Sequence, residues 1–343
     1  MRAGTGNENT VATDICPPVL VLGFNRPDTT RRVLESLAVV RPGAIFFAVD
    51  GPRAHRQGEQ EQVAAVRGLA HTIDWDCDVR TLFRDRNLGC KTAVSEAITW
   101  FFDNVEAGII LEDDCVAHPS FFPFAAELLG RYADDERVLM ISGDNFQPGR
   151  QRSGYSYYFS RYTHIWGWAT WRRAWRLYDH RMSRWPELRD QGWLPGILKD
   201  RVAADYWTRI FDDTFAERNS SWAYRWTYSA WINNALTILP CVNLVSNIGF
   251  ADVATHTRDR NNKLAALPVE QMRLPLRHPG QVIRETRADT ITQRTVFASP
   301  RLWKRIALKA AALLHRSRIN HLVTRAFDAA GVGDSQLFEH RKA

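Results

Sequence analysis

Short continuous apolar runs alternate with stretches of helical period over the first third of the chain. Residues 18–24 read Pro-Val-Leu-Val-Leu-Gly-Phe without a charge, a run suited to a parallel strand buried on both faces. Asn25, Arg26, Pro27 and Asp28 follow, and from 30 to 39 the apolar positions recur at helical spacing, with Pro27 and Asp28 as the start signal. Residues 44–49 predict a second strand that ends in Asp50 and Gly51. A helix over 57–69, a strand over 78–83, a long helix over 88–105 and a fourth strand over 107–111 come next. The last strand runs straight into Glu112, Asp113 and Asp114. Such alternation predicts a doubly wound, mostly parallel, Rossmann-like α/β sheet flanked by helices. In that class the strand carboxyl ends share one face, so Arg26, Asp50 and the three acids are expected to collect there.

The pattern then changes. Residues 119–132 predict a helix and 137–142 a strand, with a turn at Gly143, Asp144 and Asn145. From 155 to 185 the chain is rich in aromatic residues and arginine. Trp168, Trp171 and Trp175 fall at i, i+3, i+7, which predicts a helical stripe packed in a core. Gly167, between two tryptophans, marks a place where a backbone could approach an acceptor closely. A mostly helical block is expected over 194–234, a short strand over 236–240, and a polar, loop-rich stretch over 258–298. Residues 301–327 predict a helix with Trp303, Ile306, Leu313 and Leu314 on one side and Arg301, Lys304, Arg305, Lys309 and Arg316 on the other.

Charge sharpens the reading of that tail. The formal net charge is +7 over 343 residues. Residues 300–343 hold nine Lys and Arg against three acids, which leaves six positive charges. Nearly all of the excess is therefore in the tail, and it is not the spread basic footprint of a nucleic-acid-binding domain. A basic amphipathic helix suits an anionic membrane surface, with an ordinary docking helix as the alternative. Five cysteines without CxxC spacing disfavour a disulfide framework and a structural zinc site. Residues 1–15 lack the apolar core of a secretory signal, and nowhere is there a run of about 18 apolar residues. A cytoplasmic setting is expected, peripheral to the inner face of the membrane. Thirteen tryptophans suggest either a large aromatic core or faces that stack on sugar rings.

Three consecutive carboxylates repel one another and call for a neutralising partner, unless they form only a solvated strand-end turn. A divalent ion with a phosphorylated ligand is one such partner. With Arg26 and Asp50 beside them, the acids are chemically coherent for a nucleoside-diphosphate sugar. Asp50 can accept hydrogen bonds from base or ribose, Arg26 can face base or phosphate, and Asp114 would hold Mn2+ or Mg2+. No Walker loop and no GxSxG nucleophile motif is present.

The ordered segments PVLVLGFNRPDTTRRVLESL, FFAVDGPR, NLGCKTAVSEAITWFF, GIILEDDCVAHPSFFPF, HIWGWATWRRAW and NLVSNIGFADVATHT resemble a GT-A-fold glycosyltransferase. They are similar to bacterial nucleotide-diphospho-sugar transferases and the N-acetylglucosaminyltransferase I family. That resemblance implies a metal-dependent, inverting hexosyl- or N-acetylhexosaminyltransferase using a nucleotide sugar, a UDP-sugar in the favoured case. It makes Arg26 and Asp50 donor-nucleotide contacts, sets Glu112 and Asp113 towards the donor sugar and ribose, and makes Asp114 the metal ligand with His256 as a candidate second one. A lone His is otherwise more often structural. Relatives carry an acid in the acceptor half where Ser221, Trp222 and Ala223 stand here. Asp212 and Asp213 are then the first choices for the catalytic base, with Asp190 and Asp205 behind them.

The organisation expected is a flexible leader over 1–16, a nucleotide-sugar-binding half over 17–145, an acceptor half over 146–258, a linker over 259–298 and the basic tail over 299–343. The acceptor is a hydroxyl of a glycan or lipid-linked saccharide. The alternatives are a sugar-nucleotide-forming nucleotidyltransferase and a degenerate carbohydrate-binding or scaffold protein. Trimming the chain from about residue 301 should release it from anionic vesicles while leaving donor hydrolysis intact; continued sedimentation with the vesicles would rule out the tail as the anchor.

Overall fold

The structure, a computed structural model, describes residues 16–147, 154–249, 264 and 266–297. Most of the leader, His256 and the basic tail lie outside the described residues. Contact clustering divides the chain after Val296, and everything below concerns the part that ends there.

The first four strands follow the apolar runs closely: β1 Val19–Gly23, β2 Ala44–Val49, β3 Asp78–Phe83 and β4 Ala107–Glu112. They are joined by α1 Pro27–Val40, α2 Glu59–Gly68 and α3 Gly89–Asn104. All four strands are parallel, in the order β3-β2-β1-β4. β1 is bracketed by β2 and β4, with Leu22 level with Glu112. Val19, Leu20, Val21, Ile109, Ile110 and Leu111 are fully buried, as expected for strands covered on both faces. Backbone polarity at such strands is satisfied within the sheet, so charged side chains gather at the carboxyl ends.

Beyond β4, a short β5 Cys115–Ala117 leads to α4 Phe121–Arg131 and β6 Val138–Ser142. β7 Tyr157–Ser160 and β8 Trp168–Trp171 follow, then α5 Arg172–Trp175, α6 Trp185–Asp190, α7 Trp193–Leu198, α8 Arg201–Phe215 and α9 Ala223–Ile232. β9 Leu236–Pro240 and β10 Val245–Asn247 complete the strands. The sheet has eight strands in the order β3-β2-β1-β4-β8-β6-β9-β7, and β10 pairs with β5 in a separate antiparallel ribbon. β8 runs antiparallel to both β4 and β6. One continuous sheet therefore carries strands from both sides of residue 145. It is a mixed α/β, Rossmann-like architecture with its parallel part on the amino-terminal side.

Two expectations are corrected. The tryptophan stripe at 168, 171 and 175 is not a helix. Trp168 and Trp171 lie in β8 and only Trp175 is in the short α5. All four β8 residues are buried, so the i, i+3 spacing reflects a strand covered on both faces, where period carries no signal. Core packing, the expected role, is where the rings sit: Trp168 stacks on Trp222 at 5.7 Å, and Trp175 lies 5.4 Å from Trp226. The second correction concerns 266–297, expected to be loop-rich. It contains α10 Thr286–Thr295. The buried side of α10 is largely polar, made by Asp289, Thr292 and Gln293 with Ala288, so no hydrophobic period announces it. Hydrogen bonds seat it instead. Gln147 Nε2 donates to Ala288 O (2.9 Å) and Thr292 Oγ1 (2.8 Å), and Gln293 Oε1 accepts from Tyr162 and Trp207. Among the described residues no helix is long and apolar enough to cross a membrane.

Asp289 makes that seat sensitive to pH. Its carboxylate accepts from Ser160 Oγ at 2.6 Å and faces Arg284 and Arg161. Burial nevertheless pushes it up to about 7, against the Ser160 hydrogen bond and the Arg284 charge. A carboxyl whose folded value is raised contributes stability at low pH that is lost as pH climbs through the folded value. Asp289→Asn should therefore narrow the loss of thermal stability between pH 5 and pH 8, measured by melting curves; equal losses in the variant and the wild type would clear this carboxylate.

Candidate functional site

The strand ends enclose a cavity of about 460 Å3, within the size range of small-ligand sites. Its floor is the carboxyl ends of β1 to β4. One wall is the small-residue face of α3, Ala93, Val94 and Ala97, and the opposite wall comes from Ile165, Trp166 and residues 220–223. Arg26, Asp50, Glu112, Asp113 and Asp114, each predicted from sequence, all line it.

Arg26 is the centre of the charge arrangement. It occupies the position just before α1, where Pro27 starts the helix. β1 is paired with β4, so this residue lies beside the end of β4. Its guanidinium donates through Nε to Asp113 Oδ2 at 3.2 Å, through Nη2 to Asp113 Oδ1, and through Nη2 to Asp114 Oδ2 at 2.8 Å. The Arg26 side chain is 23% exposed, against 7% for Asp113 and 10% for Asp114, so the pairing is only weakly screened. Burial opposes the charge on Arg26, but Asp113 and Asp114 more than offset it and raise its pKa. Burial pushes Asp113 up to about 6 despite Arg26.

Asp114 has a second set of partners. Its Oδ1 accepts from Asn247 Nδ2 at 3.0 Å and from the Cys115 thiol at 3.5 Å, while its carbonyl accepts from Ile248 N. The β5–β10 ribbon makes these contacts by setting Asn247 opposite Cys115. Gly249 then passes so close that a Cβ would collide with Asp114 Oδ2 and lie 2.7 Å from Arg26 Nη1. Glu112 differs from both aspartates. Trp222 gives its side chain a hydrogen bond, yet Oε1 is buried with no partner. Burial, with Asp114 and Asp113 beside it, pushes the Glu112 carboxyl well above the ordinary carboxylate range.

Asp50 is committed to the protein itself. Its carboxylate accepts from the backbone N–H of Gly51 (2.9 Å), Leu88 (3.0 Å) and Gly89 (3.1 Å) and from Asn87 Nδ2 (2.9 Å). It thus serves the otherwise unsatisfied N–H groups that open α3. Burial raises its pKa against those same hydrogen bonds. Other charges on the rim are also paired. Arg53 is bound by Glu59, which also accepts from Asn25, and Arg84 meets Glu96 at 2.8 Å.

The predicted base residues are not at the cavity. Asp212 and Asp213 lie on α8 and do not line it. Asp212 Oδ1 accepts from Trp185 Nε1 at 3.0 Å and from Arg189, and Asp213 pairs with Arg218 at 2.7 Å. Asp190 is exposed and bound to Arg189, and Asp205 is also absent from the lining. A general base must be within hydrogen-bond reach of the proton it takes, and none of these four lines the cavity. Gly167 is corrected as well: a Cβ there would meet Val245 at 2.7 Å, and its carbonyl accepts from Gly143 N. The close approach is to β10, not to a ligand. Asn247 and Gly249 belong to a segment singled out by resemblance, but no local pattern separates them from ordinary turn formers.

The residues present fit a hard divalent cation. Paired carboxylates are oxygen donors of the right type, a guanidinium already stands between them as a cation, and among the described residues Glu112 Oε1 is buried without a hydrogen-bond partner. Among the described residues no group of three metal-ligating side chains exists. Ions such as Mg2+ commonly take one or two carboxylates and complete their shell with substrate phosphates.

No protein-family model and no curated protein matches the chain. Solved structures similar to it include HddC from Yersinia pseudotuberculosis, 10% identical over 46% of this chain and 77% of that one, with a TM-score of 0.28. HddC complexed with GMP-PN gives the same coverage at 0.29. A protein of Bacillus anthracis designated a glucose-1-phosphate thymidylyltransferase, in complex with a sucrose, is 10% identical over 50% and 75% of the two chains, with a TM-score of 0.28. Likeness at this level carries no argument about activity.

Asp50→Ala strands the backbone donors of Leu88 and Gly89 at the α3 terminus and that of Gly51 after β2, and loss of such a partner costs about 1–3 kcal/mol. The variant should unfold at lower urea with an unchanged slope; wild-type stability would mean that water replaces the carboxylate without penalty.

Proposed function

We propose that the chain is a glycosyltransferase that takes its sugar from a nucleoside-diphosphate sugar, a UDP-sugar in the favoured case, and passes it to a hydroxyl of a glycan or lipid-linked saccharide. The observation that carries this reading is the bridged acid pair at the end of β4, set in a cavity that also touches the acceptor-half wall. A donor spanning the strand ends would lay its diphosphate along the acid-rich end of β4. Its transferable sugar would then face Glu112, Trp166 and Trp222, which meet there.

Asp114, with Asp113 beside it, would hold Mn2+ or Mg2+, and His256 is the second protein ligand in this proposal. When bound, the ion neutralises charge on the departing diphosphate. The protein's own residues position and exclude. Asp50 fixes the start of α3, the small residues of α3 leave space for a planar base, and Trp222 closes the far side. The acceptor hydroxyl attacks the anomeric carbon as the nucleoside diphosphate leaves, in one displacement that inverts the centre. The new bond is carbon–oxygen, and the hydroxyl proton passes to a base other than Asp212 and Asp213.

A sugar-nucleotide-forming nucleotidyltransferase would use a similar sheet, but it would normally bring a glycine-rich phosphate loop after the first strand. Here Gly23, Phe24, Asn25 and Arg26 stand in that place.

Calorimetric titration with UDP and GDP, with and without Mn2+, tests the proposal. UDP should bind and Mn2+ should tighten it, and Asp114→Ala should abolish the metal-dependent part. Absence of binding by either nucleotide under both conditions would sink the reading. Release of diphosphate from a nucleoside triphosphate and a sugar 1-phosphate would replace it with the nucleotidyltransferase.

A further inference from the structure

Asp113 and Asp114 lie side by side, almost wholly buried, at the end of a strand covered on both faces. Two such carboxylates do not both stay ionised unless a positive charge lies close to them. Arg26 provides it, and in doing so consumes the oxygens that an incoming ion would need. Asp113 is held through both of its oxygens. Asp114 gives Oδ2 to Arg26 and Oδ1 to Asn247 and Cys115. Gly249 stands against the same carboxylate, so the aspartate has no room to turn aside while Arg26 remains.

Arg26 cannot leave by losing its proton, because a guanidinium stays charged in proteins. It can leave only by exchanging one anion for another. The remaining space beside it is the cavity, and a nucleoside diphosphate brings into that cavity the kind of anion that a guanidinium binds in a bidentate manner.

We infer that Arg26 keeps the cation's place between Asp113 and Asp114, and that it yields this place to a divalent ion only as its guanidinium passes to the diphosphate of the nucleotide. Metal and nucleotide are then coupled through one side chain, each helping the other to bind. This rests on the nucleotide-sugar reading above, but its central consequence concerns the metal alone: without nucleotide, Arg26 is the obstacle to the ion.

The test measures Mn2+ binding by paramagnetic resonance of the free ion, in wild type, Arg26→Gln and Arg26→Lys, each checked by melting curve. With no nucleotide present, Arg26→Gln should bind Mn2+ about tenfold more tightly than wild type, a typical size for a coupling of this kind. UDP should tighten Mn2+ binding to wild type and do so far less in the variant. If folded Arg26→Gln binds Mn2+ no more tightly than wild type, the inference is overturned. Should Arg26→Gln fail to fold, Arg26→Lys decides. A lysine cannot bridge two carboxylates as a planar fork does, so its Mn2+ affinity should also rise, and an unchanged affinity overturns the inference. Failure of wild type to bind UDP or GDP under any condition would instead be a failure of the functional reading, and the nucleotide-free comparison separates the two.

Discussion

Two adjacent carboxylates at the end of a doubly covered strand need a fixed positive charge, and the arrangement of the site follows from how Arg26 supplies one. The parallel order sets β1 next to β4, with Leu22 level with Glu112. Arg26 comes four residues after Leu22, where the chain leaves the sheet and Pro27 begins α1. A long side chain at that point reaches the acids after β4 without crossing the cavity. The same topology brings β2 to the other side of β1, and Asp50 at its end is spent on the opening N–H groups of α3. The end of β4 thus holds a cationic side chain and the end of β2 caps a helix, although both carry aspartate.

The three acids after β4 divide by partner. Asp113 and Asp114 face Arg26, and Asp114 also meets the β10 backbone and Asn247. Glu112 faces Trp222 and Cys90, and among the described residues no cation is bonded to it. Burial raises both Glu112 and Asp113, and only Asp113 has Arg26 in direct contact to oppose it. The ion cluster therefore lies on the Arg26 side of the cavity and Glu112 on the Trp222 side. Apolar and neutral surface suits a sugar ring, and an ion cluster suits phosphates.

Much of the strand-end cavity was legible in the sequence because buried parallel strands announce themselves as unbroken apolar runs. β1, β2 and β4 were found within a residue or two, and the shared strand-end face followed from the fold class. What the sequence withheld has physical causes. β8 is buried on both faces and aromatic, so its spacing imitated a helix. α10 buries hydrogen-bonding groups, so it has no apolar stripe. The Arg26 bridge joins residues 87 and 88 positions apart, and no local pattern shows which of several arginines will meet which acids. Asp212 and Asp213 are first choices for the base because Ala223 stands where an acid is expected, but helix geometry turns one towards Trp185 and the other towards Arg218.

The wall formed by residues 220–223 is held by a different device from the strand ends. Residues 216–222 leave α8 and reach the cavity as a loop, which by itself would be mobile on entropic grounds. Arg225, only 1% exposed, stops that. It donates to the carbonyls of His180, Ser221 and Thr214 and to Glu217. Glu217 in turn accepts from Lys91 of α3 at 2.5 Å. The wall that carries Ser221 and Trp222 is thereby tied to the helix that forms the other side of the cavity. Burying an arginine is unfavourable unless its donors are satisfied, and here each nitrogen has a carbonyl or carboxylate partner. The spacing between the two walls is then set by a polar network instead of by apolar packing. Such a network tolerates little change in distance, because a hydrogen bond weakens steeply with misalignment whereas apolar contacts slide. Lys91, Glu217 and Arg225 together link the 216–222 loop to α3.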